Sequence, residues 1–129
     1  MNREKLVSEI SQLIKKLESE CPARKGVSLQ EQQKELASEA VEVGLALKEQ
    51  DWAELKEELG DVFWDWLTFC HIAEEKGLFS PEEVLEHLKL KIRERNPHIF
   101  GNETASTREE ALEVKRKAKQ AWKQKKAAK

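Results

Sequence analysis

Residues 28–61 read SLQEQQKELASEAVEVGLALKEQDWAELKEELGD and contain two acidic pairs at the spacing of one helical turn. Glu39 and Glu42 form the first pair, and Glu58 and Asp61 form the second. Residues three apart lie on one face of a helix, so each pair places two carboxylates side by side. Converging carboxylates repel one another unless a cation lies among them, and hard oxygen ligands suit Mg²⁺ or Mn²⁺. The spacing is compatible with a divalent metal site and with an ordinary charged surface.

Apolar residues recur at helical period around this stretch and never alternate over the length of a strand, so we expect no sheet. One apolar stripe predicts a first helix over residues 3–20. Ser28, with a glutamate three residues later, is typical of a capping box that begins a second helix. Asp51 repeats the pattern at the start of a third helix. A short turn near Gln50 should make the second and third helices antiparallel, with their acidic edges together.

Two more helices are predicted beyond this hairpin. Gly77 ends the third helix, and Ser80, followed by a proline and two glutamates, begins a fourth. This helix ends near Arg95, because a proline two residues later disfavours helix in the residue before it. We expect a loop over residues 98–106 and a fifth helix that begins after Thr107.

The length and charge of the chain limit its organisation. A length of 129 residues fits one domain, and we predict a single all-α domain over residues 1–129, with a core at about 3–101. A C-terminal basic helix is expected at about 107–126. The net charge is −2, yet residues 115–129 contain eight basic residues and no acidic one. Such a tail can bind nucleic acid, but we favour a solvated terminal helix.

The cysteines and the hydropathy suggest a compartment. Cys21 and Cys70 are the only cysteines, and they lack the spacing of metal ligands. We see no secretory signal and no apolar run of membrane-spanning length. We therefore expect a cytoplasmic protein with reduced thiols and no membrane partner.

The stretch from Cys21 to Gly101 resembles a MazG-type nucleoside triphosphate pyrophosphohydrolase domain. The signature of that family is E-E-x-x-E, a variable gap and then E-x-x-D, which residues 38–42 (SEAVE) and 58–61 (ELGD) follow closely. Three more segments resemble the family's E-E-L-G-D-L, I-A-E-E and H-P-H-V-F-G runs, and they are EELGDV at 57–62, IAEE at 72–75 and NPHIFG at 96–101.

The chain departs from the family pattern at two places. Ser38 replaces the first glutamate of the signature, although Glu35, one turn earlier, could supply a carboxylate in its stead. Ala23 and Arg24 replace the W-D of a C-P-W-D motif, which puts the identity of the substrate in doubt. Asp65 lies on the same acidic edge as Glu58 and could orient a ligand or a water molecule.

The resemblance implies an all-α fold of five helices with a four-helix core, completed between chains in a homodimer or homotetramer. It implies Mg²⁺-dependent hydrolysis of an NTP or dNTP to the monophosphate and pyrophosphate, in the service of nucleotide-pool housecleaning. Mn²⁺ is a possible substitute. By position, the catalytic metal ligands would be Glu39, Glu42, Glu58 and Asp61.

The resemblance also points to cations and an aromatic residue that bind the substrate. Lys91 and Arg95 match basic positions before the H-P-H segment and would clamp phosphates, or else lie solvated at a helix end. The family places a tryptophan and, four residues later, a lysine against the nucleotide, and Trp122 with Lys126 has this spacing. Lys115 is a rival for the lysine. Packing of a terminal helix is an equal alternative for the tryptophan.

Two other functions stay open at this point. One is a related activity, that of a dCTP, dUTP or phosphoribosyl-ATP pyrophosphatase. The other is a non-catalytic helical module whose basic tail binds nucleic acid, which we consider the less favoured alternative.

Overall fold

The computed structural model describes residues 2–128, and within that range its regular structure is entirely helical, which confirms the all-α class. The helices are α1 (Arg3–Glu20), α2 (Leu29–Lys48), α3 (Trp52–Glu75), α4 (Pro81–Glu94), α5 (Pro97–Phe100) and α6 (Arg108–Ala127). Contacts divide the chain into two compact units, one ending at Pro81 and one beginning at Glu82. The single domain over the whole chain stays a prediction. No described helix has the length and apolar character needed to cross a membrane.

Side-chain caps start α2 and α3 where the sequence predicts them. The Ser28 hydroxyl accepts from the backbone N–H of Glu31 at 3.1 Å, and the Glu31 carboxylate accepts from the Ser28 N–H at 3.5 Å, which completes a capping box. The Asp51 carboxylate accepts from the N–H of Glu54 at 3.1 Å. Each cap satisfies a backbone donor that has no partner within the helix and contributes about 1 kcal/mol.

The helices α2 and α3 form an antiparallel hairpin, as predicted. Gln32 near the start of α2 contacts Asp65 far along α3, whereas Glu39 contacts Glu58 nearer the turn. Gln50 in the connection adopts a φ of 55°, a left-handed conformation that residues other than glycine rarely adopt. This tight turn fixes which residues of the two helices lie opposite one another.

The helix α1 packs on α3 and completes the first unit. Ile14 of α1 is buried, and the hydroxyl of Ser11 lies 3.5 Å from Nε2 of His71 on α3. The other buried apolar side chains of this unit lie on α2 and α3 and are Ala46, Leu67, Cys70, Ile72 and Ala73. Most of these buried side chains lie along the later half of α3, away from the turn that joins it to α2, whereas Ala46 lies close to that turn.

The second unit contains a helical turn that the sequence reasoning missed. The helix α5 begins at Pro97 and ends at Phe100, so it includes the first three residues of the loop predicted over residues 98–106. Proline is favoured at a first helical position, because its φ is already helical and it lacks the N–H that would have no partner there. The helix α6 begins as predicted, with the Thr107 hydroxyl accepting from the N–H of Glu110 at 3.1 Å.

Candidate functional site

Three carboxylates from α2 and α3 meet at the facing edges of the hairpin. One oxygen each from Glu39, Glu58 and Asp61 lies within 4.8 Å of the others. Glu58 is only 8 % exposed, and Glu39 and Asp61 are half-buried. Hairpin register places Glu39 across from Glu58, and helical spacing places Asp61 one turn further along the same face. The sequence predicted that the acidic edges of the two helices lie together, and three of the four carboxylates in the two acidic pairs do so.

The cluster is electrostatically unfavourable as the side chains stand. A hydrogen bond with Glu39 raises the pKa of Glu58 above its ordinary value, and burial and the negative charges of Glu39 and Asp61 raise it further. A hydrogen bond with Glu54 acts in the opposite direction on Glu58 and raises the pKa of Glu54. Like charges held this close disfavour ionisation of the carboxyl groups, and a positive charge among them would favour it.

A buried oxygen in the cluster is suited to a cation. Oε2 of Glu39 is buried and has no hydrogen-bond partner among residues 2–128. Buried polar atoms are normally satisfied, so this carboxylate oxygen, which lies beside two other carboxylates, is available to bind a ligand. A set of three carboxylate oxygens with room for water matches the preference of Mg²⁺ and Mn²⁺. The residues present therefore fit a hard divalent cation.

Glu42 is the one predicted metal ligand that lies outside this cluster. Its side chain is exposed, one turn along α2 from Glu39. A role for Glu42 as a ligand stays a prediction.

The predicted phosphate clamp lines a cavity in the second unit. Lys91 and Arg95 border an open cavity of about 240 Å³, together with Lys115 of α6. The Lys115 ammonium donates to the Asn96 side-chain oxygen at 3.0 Å. Within the described part of the chain, none of the three cations forms an ion pair with a carboxylate. This charge is uncompensated, as an anion-binding role requires.

Trp122 and Lys126, the other predicted substrate contacts, do not line this cavity. Trp122 is buried, and its ring lies edge-on to His87 with 5.4 Å between the ring centres. Lys126 is exposed, while its neighbour Lys125 donates to Glu94 at 3.0 Å. The structure thus shows a packing contact for Trp122, and its stacking on a base stays a prediction.

A hydrogen-bonded network that the sequence did not predict lies beside the carboxylates. The guanidinium of Arg24 donates to both carboxylate oxygens of Glu18, at 2.7 and 3.1 Å, and to Oε1 of Gln32 at 2.7 Å. Gln32 is fully buried, and its amide donates to the backbone carbonyl of Asp65 at 3.2 Å. Hydrogen bonding to Glu18 raises the pKa of Arg24, and burial raises the pKa of the Asp65 carboxyl.

No periodicity could have revealed this network, because its members come from four separate segments, namely α1, the loop after it, α2 and α3. The available signal was the departure from the family motif at Arg24. The structure shows that this residue is not a random surface substitution, since its side chain connects the loop after α1 to α1 and α2 and, through Gln32, to α3.

The network borders a cavity of about 260 Å³ that reaches the carboxylate cluster. Glu39 and Asp61 line it, as do Arg24, Trp64 and Thr68. The Thr68 side chain is almost completely buried, and its hydroxyl has no hydrogen-bond partner among the described residues. Two unsatisfied polar atoms, one on Glu39 and one on Thr68, therefore belong to residues that line the same cavity.

Comparisons with known proteins identify the family of the chain. The family described as the MazG nucleotide pyrophosphohydrolase domain matches residues 28–100, more than half of the chain. A nucleoside triphosphate pyrophosphohydrolase of Escherichia coli K12 is 27% identical over 112 residues, 87% of this chain and 43% of that protein. A nucleoside triphosphate pyrophosphohydrolase/pyrophosphatase MazG of Thermotoga maritima is 39% identical over 67 residues, 52% of this chain and 26% of that protein.

One solved structure has the same fold. The crystal structure of a mazG-related protein from Thermotoga maritima superimposes with a TM-score of 0.78 at 29% identity, over 88% of this chain and 98% of that one. The chain thus spans less than half the length of these two curated relatives but nearly the whole of this structural neighbour. The matched segment contains all three clustered carboxylates. The chain belongs to the MazG nucleotide pyrophosphohydrolase family.

Proposed function

We propose that this protein hydrolyses nucleoside triphosphates, NTPs or dNTPs, to the monophosphate and pyrophosphate, with Mg²⁺ held by Glu39, Glu58 and Asp61. The observation that carries the proposal is a buried oxygen of Glu39 that has no partner among the described residues and lies within a three-carboxylate cluster, in a chain of the MazG family. Mn²⁺ could take the place of Mg²⁺, because both prefer oxygen ligands. Glu42 could join as a fourth ligand by moving its exposed side chain.

A divalent cation at this site would neutralise phosphate oxygens and activate water for attack. The chain's own contribution is to hold three carboxylates close together against their mutual repulsion. Since the antiparallel hairpin fixes their positions, little reorganisation is needed when a cation binds. Phosphoryl transfer depends mainly on positioning and charge neutralisation, so the small number of polar groups here is sufficient.

Lys91 and Arg95 are proposed to bind phosphate oxygens of the substrate. Their charges are uncompensated by carboxylates within residues 2–128, and both border one cavity. The planar guanidinium of Arg95 can donate two parallel hydrogen bonds to a phosphate, which adds geometric specificity to the charge.

A homodimer or homotetramer is part of the proposal, and exposed apolar side chains support it. Leu59 and Trp64 on α3 are 53% and 47% exposed, although each lies within one turn of the carboxylate cluster. On α4, large apolar residues are about half exposed along its length, and they are Leu85, Leu88, Leu90 and Ile92. Soluble monomers rarely leave so much apolar surface uncovered, so a second copy of the chain is expected to cover part of it.

The decisive experiment is a screen for pyrophosphate release from each NTP and dNTP, with and without Mg²⁺. We expect metal-dependent release that Glu58→Gln lowers by more than about a hundredfold, the upper range for losing a group that merely orients a ligand. Glu113→Gln is the matched control, because Glu113 is a helical glutamate in the second unit that pairs with Arg116, and it should be fully active. Absence of pyrophosphate from every substrate, or full activity of Glu58→Gln, would overturn the proposal.

A further inference from the structure

The cavity beside the carboxylate cluster has the size and chemistry of a site for one part of a ligand. Its volume of about 260 Å³ is just below the roughly 300–1,000 Å³ of sites that enclose whole small molecules. Thr68 follows Asp61 by seven residues on α3, a rise of about 10 Å along the helix. A ligand that reaches both residues must be extended, as a nucleotide is between its phosphates and its base.

The walls of the cavity are suited to a flat aromatic group. Trp64, which is half exposed, and Leu17 provide apolar surface. Every nucleobase has a π-face, so an indole ring can stack on any of them and contributes affinity without choosing among bases. Any preference for one base over another must therefore come from polar groups in the cavity.

Few polar groups in the cavity remain available to a ligand. The guanidinium of Arg24 is bonded to Glu18 and Gln32 and lies 3.6 Å from a carboxylate oxygen of Glu35. Glu35 is thus paired with Arg24, and Oδ1 of Asp65 accepts from the Gln32 amide at 3.4 Å. Among the described lining residues beyond the metal cluster, the groups left are the other carboxylate oxygen of Asp65 and the hydroxyl of Thr68. Ionised carboxylates only accept hydrogen bonds, whereas a hydroxyl can donate one. The cavity thus offers a ligand a hydrogen-bond acceptor at Asp65 and, one helical turn away, a hydrogen-bond donor at Thr68.

We propose that this cavity binds the base of the nucleotide and prefers bases that carry an exocyclic amine next to an unprotonated ring nitrogen. This inference rests on the proposed function for the identity of the ligand. Cytosine and adenine present that edge, an amine that donates and a ring nitrogen that accepts. Uracil and hypoxanthine present a carbonyl at the position of the amine, and a carbonyl facing the Asp65 carboxylate would be repelled.

The test compares substrates that differ only at this edge. For the whole protein with Mg²⁺, we expect kcat/KM for CTP to exceed that for UTP, and for ATP to exceed that for ITP, each by about tenfold or more, the effect of one hydrogen bond to a charged group. The proposal would be overturned if kcat/KM were equal for CTP and UTP and equal for ATP and ITP, or if UTP or ITP were the better substrate.

Thr68→Val separates a binding role from a structural one. The Thr68 hydroxyl is buried and has no partner in the described part of the chain, so its replacement by a methyl group removes a desolvated donor and should leave the melting temperature unchanged or raise it. The same variant should reduce the CTP preference over UTP several-fold. Thr104→Val, at an exposed threonine, is the matched control and should change neither quantity. An unaltered substrate ratio in Thr68→Val would contradict the assignment.

A binding measurement keeps this test independent of catalysis. If no triphosphate is hydrolysed, the proposed function fails, and titration calorimetry with CMP and UMP then tests the cavity directly. Tighter binding of CMP that Thr68→Val weakens would uphold the base site. Equal binding of the two monophosphates, or no binding of either, would refute it.

Discussion

Glu58 on α3 and Glu113 on α6 are both glutamates in charged helices, yet their surroundings act on them in opposite directions. Glu58 is buried beside Glu39 and Asp61, and these neighbours raise its pKa. Glu113 is exposed and accepts hydrogen bonds from the Arg116 guanidinium at 2.6 and 2.9 Å, which lower its pKa. Helical spacing brings charged neighbours to both residues. The neighbours of Glu113 on α6 are cations that compensate its charge, whereas the clustered neighbours of Glu58 on α3 are carboxylates that do not.

The difference between these two glutamates indicates which charged residues of this chain are candidates for a functional site. On α6, Lys117 also lies within 4.0 Å of Glu113, so acids and bases satisfy one another with little burial. At the hairpin, the folding of α2 against α3 forces like charges together and removes water from around them. That arrangement lowers the stability of the metal-free protein, and a bound cation would reverse the effect.

The largest expected effect in this comparison is stabilisation by the cation itself. At about 100 times its Kd, Mg²⁺ should raise the free energy of unfolding of the wild-type protein by about 2.7 kcal/mol. Glu58→Gln should lose most of this increase, because it removes the most buried carboxylate of the cluster. Glu113→Gln should retain it. Denaturant unfolding with and without Mg²⁺ measures all three, and equal Mg²⁺ stabilisation in every variant would exclude a metal at the cluster.

A smaller effect is expected in the dependence of stability on pH without metal. Because the pKa of Glu58 is raised above 4.5 in the folded state, its favourable contribution is complete below pH 4.5 and is lost as pH rises through the raised value. The pKa of Glu113 is lowered, so its contribution is present above pH 4.5 and is lost as pH falls.

Unfolding curves collected over a range of pH distinguish the two glutamates. Glu58→Gln should flatten the decline of stability with rising pH, and at neutral pH the metal-free variant should be more stable than the wild type. Glu113→Gln should flatten only the decline toward acid. A wild-type protein whose metal-free stability increases from pH 4.5 upward, with no effect of Glu58→Gln, would contradict the charge repulsion inferred at the hairpin.

The smallest effect is expected where the charges compensate one another. Arg116→Met breaks an exposed pair on one helix, and such pairs often contribute nothing measurable to stability. We expect no resolvable change in melting temperature, and none in pyrophosphate release. A clear loss of either would mean that α6 has a role beyond that of a solvated basic helix.

The features that follow from local rules could be predicted from the sequence. Ser28, Asp51 and Thr107 cap helices where their side chains and the following acids indicate, because capping depends on residues only three apart. The meeting of Glu39 with Glu58 was also predictable, since a short turn between two helices makes them antiparallel.

The remaining features depend on distances between segments that no local pattern encodes. Arg24, Gln32 and Asp65 come from a loop and two helices, and each has an ordinary explanation as a surface residue when considered alone. Thr68 is notable only because its buried hydroxyl has no hydrogen-bond partner within residues 2–128, a property that depends on how the segments pack. The helical turn at α5 was missed, because its four residues are too few to show periodicity.

The tight connection at Gln50 has a consequence for how chains of this kind can vary in length. Each residue of an α-helix turns the face by about 100°, so one residue inserted between Glu39 and the turn would swing that carboxylate away from Glu58. Insertions are tolerable only if α2 and α3 each gain about one turn. Together these two turns amount to roughly seven residues. Sequence separations between the two acidic motifs should therefore change in discrete steps rather than continuously.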